Sequence, residues 1–141
     1  MWKSNKINIK WVLLYMVNTL LFGAHVPEES AIEVARSIYI EYGNLHSGDE
    51  FNISSVETIK NEESNLIYIF HLDPKGFIMV PADNQAVPNL AFGFEHSFES
   101  SNMPENLMAL MNQYKTELSL LIDNPAEPLD EIAEKWNYYL S

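Results

Sequence analysis

The run LIYIFHL at residues 66–72, the tetrapeptide Asp73-Pro74-Lys75-Gly76 and the run FIMV at 77–80 together admit one local solution, an antiparallel hairpin. β-Branched and aromatic residues fill both runs. Pro74 presets a turn dihedral, and Gly76 supplies the positive φ that brings the chain back onto the second strand. Pro81 then marks where pairing stops or reaches an edge, because its missing N–H would break a central ladder.

Further strands flank the hairpin. Phe51, Ile53, Val56 and Ile59 are β-rich, but their alternation breaks between 53 and 56, which predicts a bulge. NLAFGF at 89–94 predicts another short strand, with Phe98 as an apolar anchor behind it. Before the sheet, Ala31, Ile32, Ala35, Ile38, Tyr39 and Tyr42 recur three and four apart. They follow Pro27, Glu28 and Glu29, and Gly43-Asn44 offers a left-handed stop, so a helix is predicted to end near residue 42. After the sheet, Asn102 and Glu105 stand at capping-box spacing with Pro104 in the first turn. Leu107, Leu110, Met111, Tyr114, Leu118, Leu121 and Ile122 then form a core-facing stripe that ends at Asp123-Asn124-Pro125. Leu129, Ile132, Trp136 and Leu140 repeat at helical spacing in the tail. The expected fold class is α+β: an antiparallel sheet of about four strands with two main helices packed on it and a short C-terminal helix. The main domain spans 24–124, and 125–141 form a linker with a C-terminal tail or short helix.

Charge narrows the partners. The 141 residues carry 20 Asp plus Glu against 8 Lys plus Arg, a formal charge of −12, which argues against nucleic acid and anionic membranes. Hydrophobic residues at 47% are enough for a packed core. The chain has no cysteine, so disulfides, thiolate metal sites and thiol catalysis are excluded. Lys3, Lys6 and Lys10 precede a mostly apolar run of 12 residues at 11–22 (WVLLYMVNTLLF), interrupted by Asn18. That is the pattern of a secretory signal peptide over 1–23, too short for a span needing about 20 residues. Its removal leaves five basic and twenty acidic residues, a formal charge of −15. The mature chain is expected to be secreted or periplasmic, with no membrane attachment.

Motifs for chemistry are missing. His25, His46, His71 and His96 have no ligand-spaced partner, and no nucleophile elbow, phosphate loop or dinucleotide fingerprint occurs. No metal and no cofactor are expected. Twenty carboxylates create close pairs by chance, so paired acids read as a solvated surface rather than a glycosidase site. The rings at 68, 70, 77, 92, 94 and 98 read as core rather than as a ligand platform.

The order of residues resembles the pro-segment of streptopain-like cysteine proteases and the related stand-alone Spi-type inhibitors. Gly76-Phe77-Ile78-Met79-Val80-Pro81-Ala82-Asp83-Asn84 is similar to that family's GFVIVSADD block, and Pro88-Asn89-Leu90-Ala91-Phe92-Gly93 to its P-x-I-L-G-Y-S stretch. Phe98 stands in the place of its G-S-F aromatic, the helix from Glu105 resembles its second long helix with Tyr114 at its tyrosine, and SAIEVARSIY at 30–39 resembles its first helix. The likeness covers about residues 30–122. Pro81 departs from the usual Ser, Ala91 from a Gly and His96 from the Gly before the aromatic, which puts the loop conformations in question.

The resemblance implies an inhibitor of a papain-like cysteine protease of the streptopain type. In that family an Asn at the head of the second helix plugs a substrate pocket. The matching residue here is Asn106, with Glu105, Pro104 and Asn102 as flanking contacts. No catalytic domain with its Cys and His follows, so the chain is not expected to be an enzyme. Two other origins stay open: a truncated pro-segment of a protease precursor, acting as folding aid and autoinhibitor, or a secreted α+β binding domain without inhibitory activity.

Overall fold

The computed structural model describes residues 23–43 and 50–141. The expected leader lies outside these residues except for Gly23, as do Asn44 and His46.

Four strands, β1 (Ile53–Lys60), β2 (Asn65–Leu72), β3 (Phe77–Pro81) and β4 (Ala91–Gly93), form one antiparallel meander in the order β1-β2-β3-β4. The hairpin at its centre closes as its sequence requires. Gly76 adopts φ 108°, and the Leu72 amide donates to the Gly76 carbonyl at 2.9 Å. Strand β1 carries the expected irregularity, with register shifts between Ile53 and Ser55 and again between Ile59 and Lys60. Strand β4 is shorter than its apolar sequence predicts, three residues paired with Phe77, Ile78 and Met79.

Pro81 is accommodated by the ladder's alternation. The Ala82 amide donates to the Leu66 carbonyl at 2.8 Å, so Leu66 and Ala82 form a hydrogen-bonded pair and the neighbouring Ile67–Pro81 pair does not. The Pro81 nitrogen therefore points away from β2, toward the side where β4 has already ended.

Helix α1 (Glu28–Ile38) runs on into a π turn, Tyr39–Gly43. The expected left-handed stop at Gly43 is not formed, since its φ is not positive. Glycine is needed there for space: a Cβ would stand 2.6 Å from Tyr39 Cδ2. Helix α2 (Glu105–Asp123) and helix α3 (Asp130–Leu140) follow β4.

The sheet is covered on both faces. Tyr68, Phe70, Leu72, Ile78 and Val80 meet α1 and α3 through Ala31, Val34, Ala35, Ile38, Trp136 and Tyr139. Ile67, Ile69 and Met79 meet α2 through Met111 and Leu118, with Phe98 beside them. Residues 66–70 are thus buried in sequence without a polar-out position, each large side chain contributing roughly 1.5–3 kcal/mol by removal from water. The C-terminal helix docks firmly. The Ser37 hydroxyl donates to the Tyr139 carbonyl at 2.6 Å, and Trp136 Nε1 donates to the Ala86 carbonyl at 2.8 Å.

Three apolar residues depart from their expected burial. Leu110, counted in the core stripe, is 38% exposed because it lies at the margin of the face that Met111 and Leu118 bury. Val56, paired with Phe70 on the irregular edge strand, stays 36% exposed, and Phe92 on β4, stacked on Tyr42, is 37% exposed rather than core.

Candidate functional site

The sequence directs attention to the entry of α2. Phe98 is buried against Phe77, their ring centroids 5.3 Å apart, which fixes where the chain leaves the sheet. A single 3₁₀ turn, Ser100–Asn102, follows, and Met103 packs partly into the α2-side core. Pro104 then takes the N-cap position with φ −57° and ψ 149°, and the helix begins at Glu105.

The capping box expected between Asn102 and Glu105 is not formed. Asn102 belongs to the 3₁₀ turn two residues before the cap, and the cap itself is Pro104, which has no side-chain acceptor. The first helical bond is Met108 N–H to the Pro104 carbonyl at 2.9 Å. Helix geometry leaves the amides of Glu105, Asn106 and Leu107 without intrahelical acceptors. Glu105 places a carboxylate beside that positive helix end.

All four singled-out residues lie on the surface: Asn102, Pro104, Glu105 and Asn106 are exposed. What lies beneath them is rigid. Leu107 and Tyr114 pack partly into the same core that buries Met111 and Leu118, and the Tyr114 hydroxyl donates to the Leu90 carbonyl at 3.2 Å. Asn106 thus projects from a helix end that the core holds in place.

The far end of α2 is tied down by the loop that follows β3. Gln85 is buried, its Nε2 donates to the Leu121 carbonyl at 2.9 Å and to Asp83 Oδ1 at 3.1 Å, and its Oε1 accepts the Ala126 amide. An Asp-x-Gln between a strand and a proline-bounded loop was the available signal, since both side chains readily bond nearby backbone.

Among the described residues, no group of three or more His, Cys, Asp or Glu is placed to hold a metal ion. His71 meets Glu57 at 3.2 Å across β1 and β2 and stacks near Phe98 at the margin of the core, half-buried. Among the same residues, no helix is long and apolar enough to cross a membrane.

Comparison with known proteins identifies relatives by sequence. Residues 23–118 match the family model described as Spi protease inhibitor. The thiol protease/hemagglutinin PrtT of Porphyromonas gingivalis is 33% identical over 125 residues, 86% of this chain and 14% of that protein. The chain therefore spans about one seventh of the length of that relative. No solved structure matches.

Proposed function

This chain belongs to the Spi protease inhibitor family, and we propose that it is a secreted inhibitor of a streptopain-like, papain-fold cysteine protease whose active-site cleft it blocks. Protease inhibitor and protease propeptide are the two roles that the family and the relative support in common. The chain has no catalytic activity of its own in this assignment.

The observation that carries inhibition is the presentation of Asn106. It is exposed in the first turn of a 19-residue helix whose inner face is anchored by Met111, Leu118 and Tyr114. A polar side chain with three unsatisfied helical amides around it can fill a pocket that normally receives a peptide, offering donors where a substrate backbone would offer them. A preformed element loses little conformational freedom on binding, so a standard interface of roughly 1,600 Å² suffices. The strong acidity adds long-range attraction if the rim of the cleft is basic, which acts mainly on the association rate.

A second assignment rests on the length of the relative. A chain covering 14% of a thiol protease is also what the pro-segment of a larger precursor looks like, serving as folding aid and autoinhibitor. The contact is the same in both cases; only its covalent context differs.

The decisive experiment titrates a mature streptopain-type protease with the purified chain and with Asn106→Ala. Stoichiometric loss of activity, weakened about tenfold or more by the substitution, is the expected result for a central contact. Inhibition indifferent to the substitution removes Asn106 from the site. A folded chain that leaves the protease fully active overturns inhibition and favours a binding domain without it.

A further inference from the structure

Residues 24–26 enter the domain in extended form beside residues 82–84. The Val26 amide donates to the Ala82 carbonyl at 2.8 Å, His25 bridges Asp83, and the Asn84 amide donates to the Ala24 carbonyl at 3.0 Å. Val26 is buried, and the Tyr68 hydroxyl donates to its carbonyl at 2.8 Å. The segment is thus anchored within the fold, although it stands directly behind the expected leader.

A side chain makes the last rung of this pairing. Asn84 Oδ1 accepts the Ala24 amide at 2.8 Å, while the Asn84 amide holds the Ala24 carbonyl. One asparagine therefore engages both backbone polar groups of Ala24. Its own position is set by its neighbours Asp83 and Gln85, which are buried and bonded to each other through their side chains. Ala24 and Asn84 line a cleft of about 450 Å³ together with Glu127 and Asp130. An oxygen acceptor on a fixed support, with carboxylates lining the same cleft, favours a primary ammonium over a neutral amide.

We propose that the leader is removed between Gly23 and Ala24, and that the α-ammonium so released is bound by Asn84 Oδ1. The inference rests on the secreted state in the function proposed above. Hydrolysis of that bond by a signal peptidase consumes one water, leaving a carboxylate on Gly23 and an ammonium on Ala24. The neighbouring bonds fit less well. Cleavage before Gly23 would put Phe22 in a position that takes a small residue, and cleavage after Ala24 would discard both bonds to Asn84. The Gly23 amide donates to the Ala126 carbonyl at 2.7 Å. Removal of Gly23 frees that carbonyl as a second acceptor one residue away, which suits an ammonium, since it has three donors where an amide has one.

The test expresses the full chain, leader included, in an exporting bacterial host and locates the first residue of the released protein by intact mass. The expected start is Ala24. A released chain with any other first residue overturns this inference alone, and a chain kept in the cell with its leader overturns the secreted state as well. The released protein is then acylated at about pH 7, where an α-amine is far more reactive than lysine, and labelling of its N-terminal peptide is followed. The folded chain is expected to label about tenfold or more slowly than the same chain unfolded in urea, and Asn84→Ala to regain most of that rate. Near-ultraviolet circular dichroism verifies the packing of the variant. Equal labelling of folded and unfolded chains, or protection that survives Asn84→Ala, overturns capture by Asn84. Asn84→Asp keeps the acceptor and adds a charge, so it decides the case even where the alanine variant fails to fold: labelling slower than in the parent supports the contact, and labelling as fast or faster overturns it. No protease target enters these measurements, so their outcome is independent of inhibition.

Discussion

Gln85 Oε1 accepts the backbone amide of Ala126 at 2.9 Å, joining the loop after β3 to the linker between α2 and α3 across 41 positions of sequence. Through its Nε2 bonds to Leu121 and Asp83, the same side chain holds the C-terminal end of α2. The helix is therefore fixed at the end opposite Asn106.

Replacing Gln85 by Ala leaves the Ala126 amide and the Leu121 carbonyl without this partner in a partly buried setting, and is expected to cost about 1–2 kcal/mol. Gln85→Glu keeps the size but turns the donor toward Leu121 and Asp83 into an acceptor, so it is expected to cost more. Urea unfolding midpoints order the three proteins, and a glutamate variant as stable as the parent removes the latch.

Gly76→Ala places a Cβ 2.9 Å from the Gly93 carbonyl oxygen at a φ of 108°. Strain of this kind costs on the order of 1–3 kcal/mol, and it strikes the hairpin on which both cores are built. The predicted outcome is a lowered melting temperature with the fold retained; an unchanged melting temperature contradicts the geometry.

Asn102→Ala separates the observed entry to α2 from the capping box that its spacing predicted. A lost cap costs about 1 kcal/mol. Here Asn102 sits in the 3₁₀ turn while Pro104 caps the helix, so the change in stability is expected to stay within about 0.5 kcal/mol. Chemical denaturation measures it directly.

Trp136→Ala tests how strongly the last helix belongs to the domain. The indole is buried in the α1-side core and bonds Ala86, so truncation is expected to cost about 3–5 kcal/mol. A chain melting as before would make α3 an appendage.

Burial holds the Tyr139 hydroxyl well above the usual tyrosine range, with Tyr42 and Glu41 adding to the effect. Its neutral form is thus favoured in the folded state. The resulting stability is complete below the unfolded pKa of about 10 and is lost as pH rises from there toward the folded value. Melting temperatures are expected to fall more steeply above pH 10 in the parent than in Tyr139→Phe. Parallel profiles exclude the assignment.

Local patterns in the residues were enough to define the elements. Alternation, turn chemistry and helical spacing act over a few positions, so the Gly76 hairpin, the bulged first strand, α1, α2, α3 and the α+β class were legible before any coordinates. The order GFIMVPADN likewise pointed to the family that the matched residues 23–118 establish. What the tertiary structure decided is how those elements cover one another. Helical periodicity says that α2 has an apolar face, but not how wide the sheet beneath it is, so Leu110 read as core and stands exposed at its margin. Spacing offered Asn102 as a cap, and the path from the buried Phe98 gave the position to Pro104. The Gln85 latch joins residues far apart in sequence, Asp83, Leu121 and Ala126, and such pairings arise from three-dimensional packing that no local period encodes.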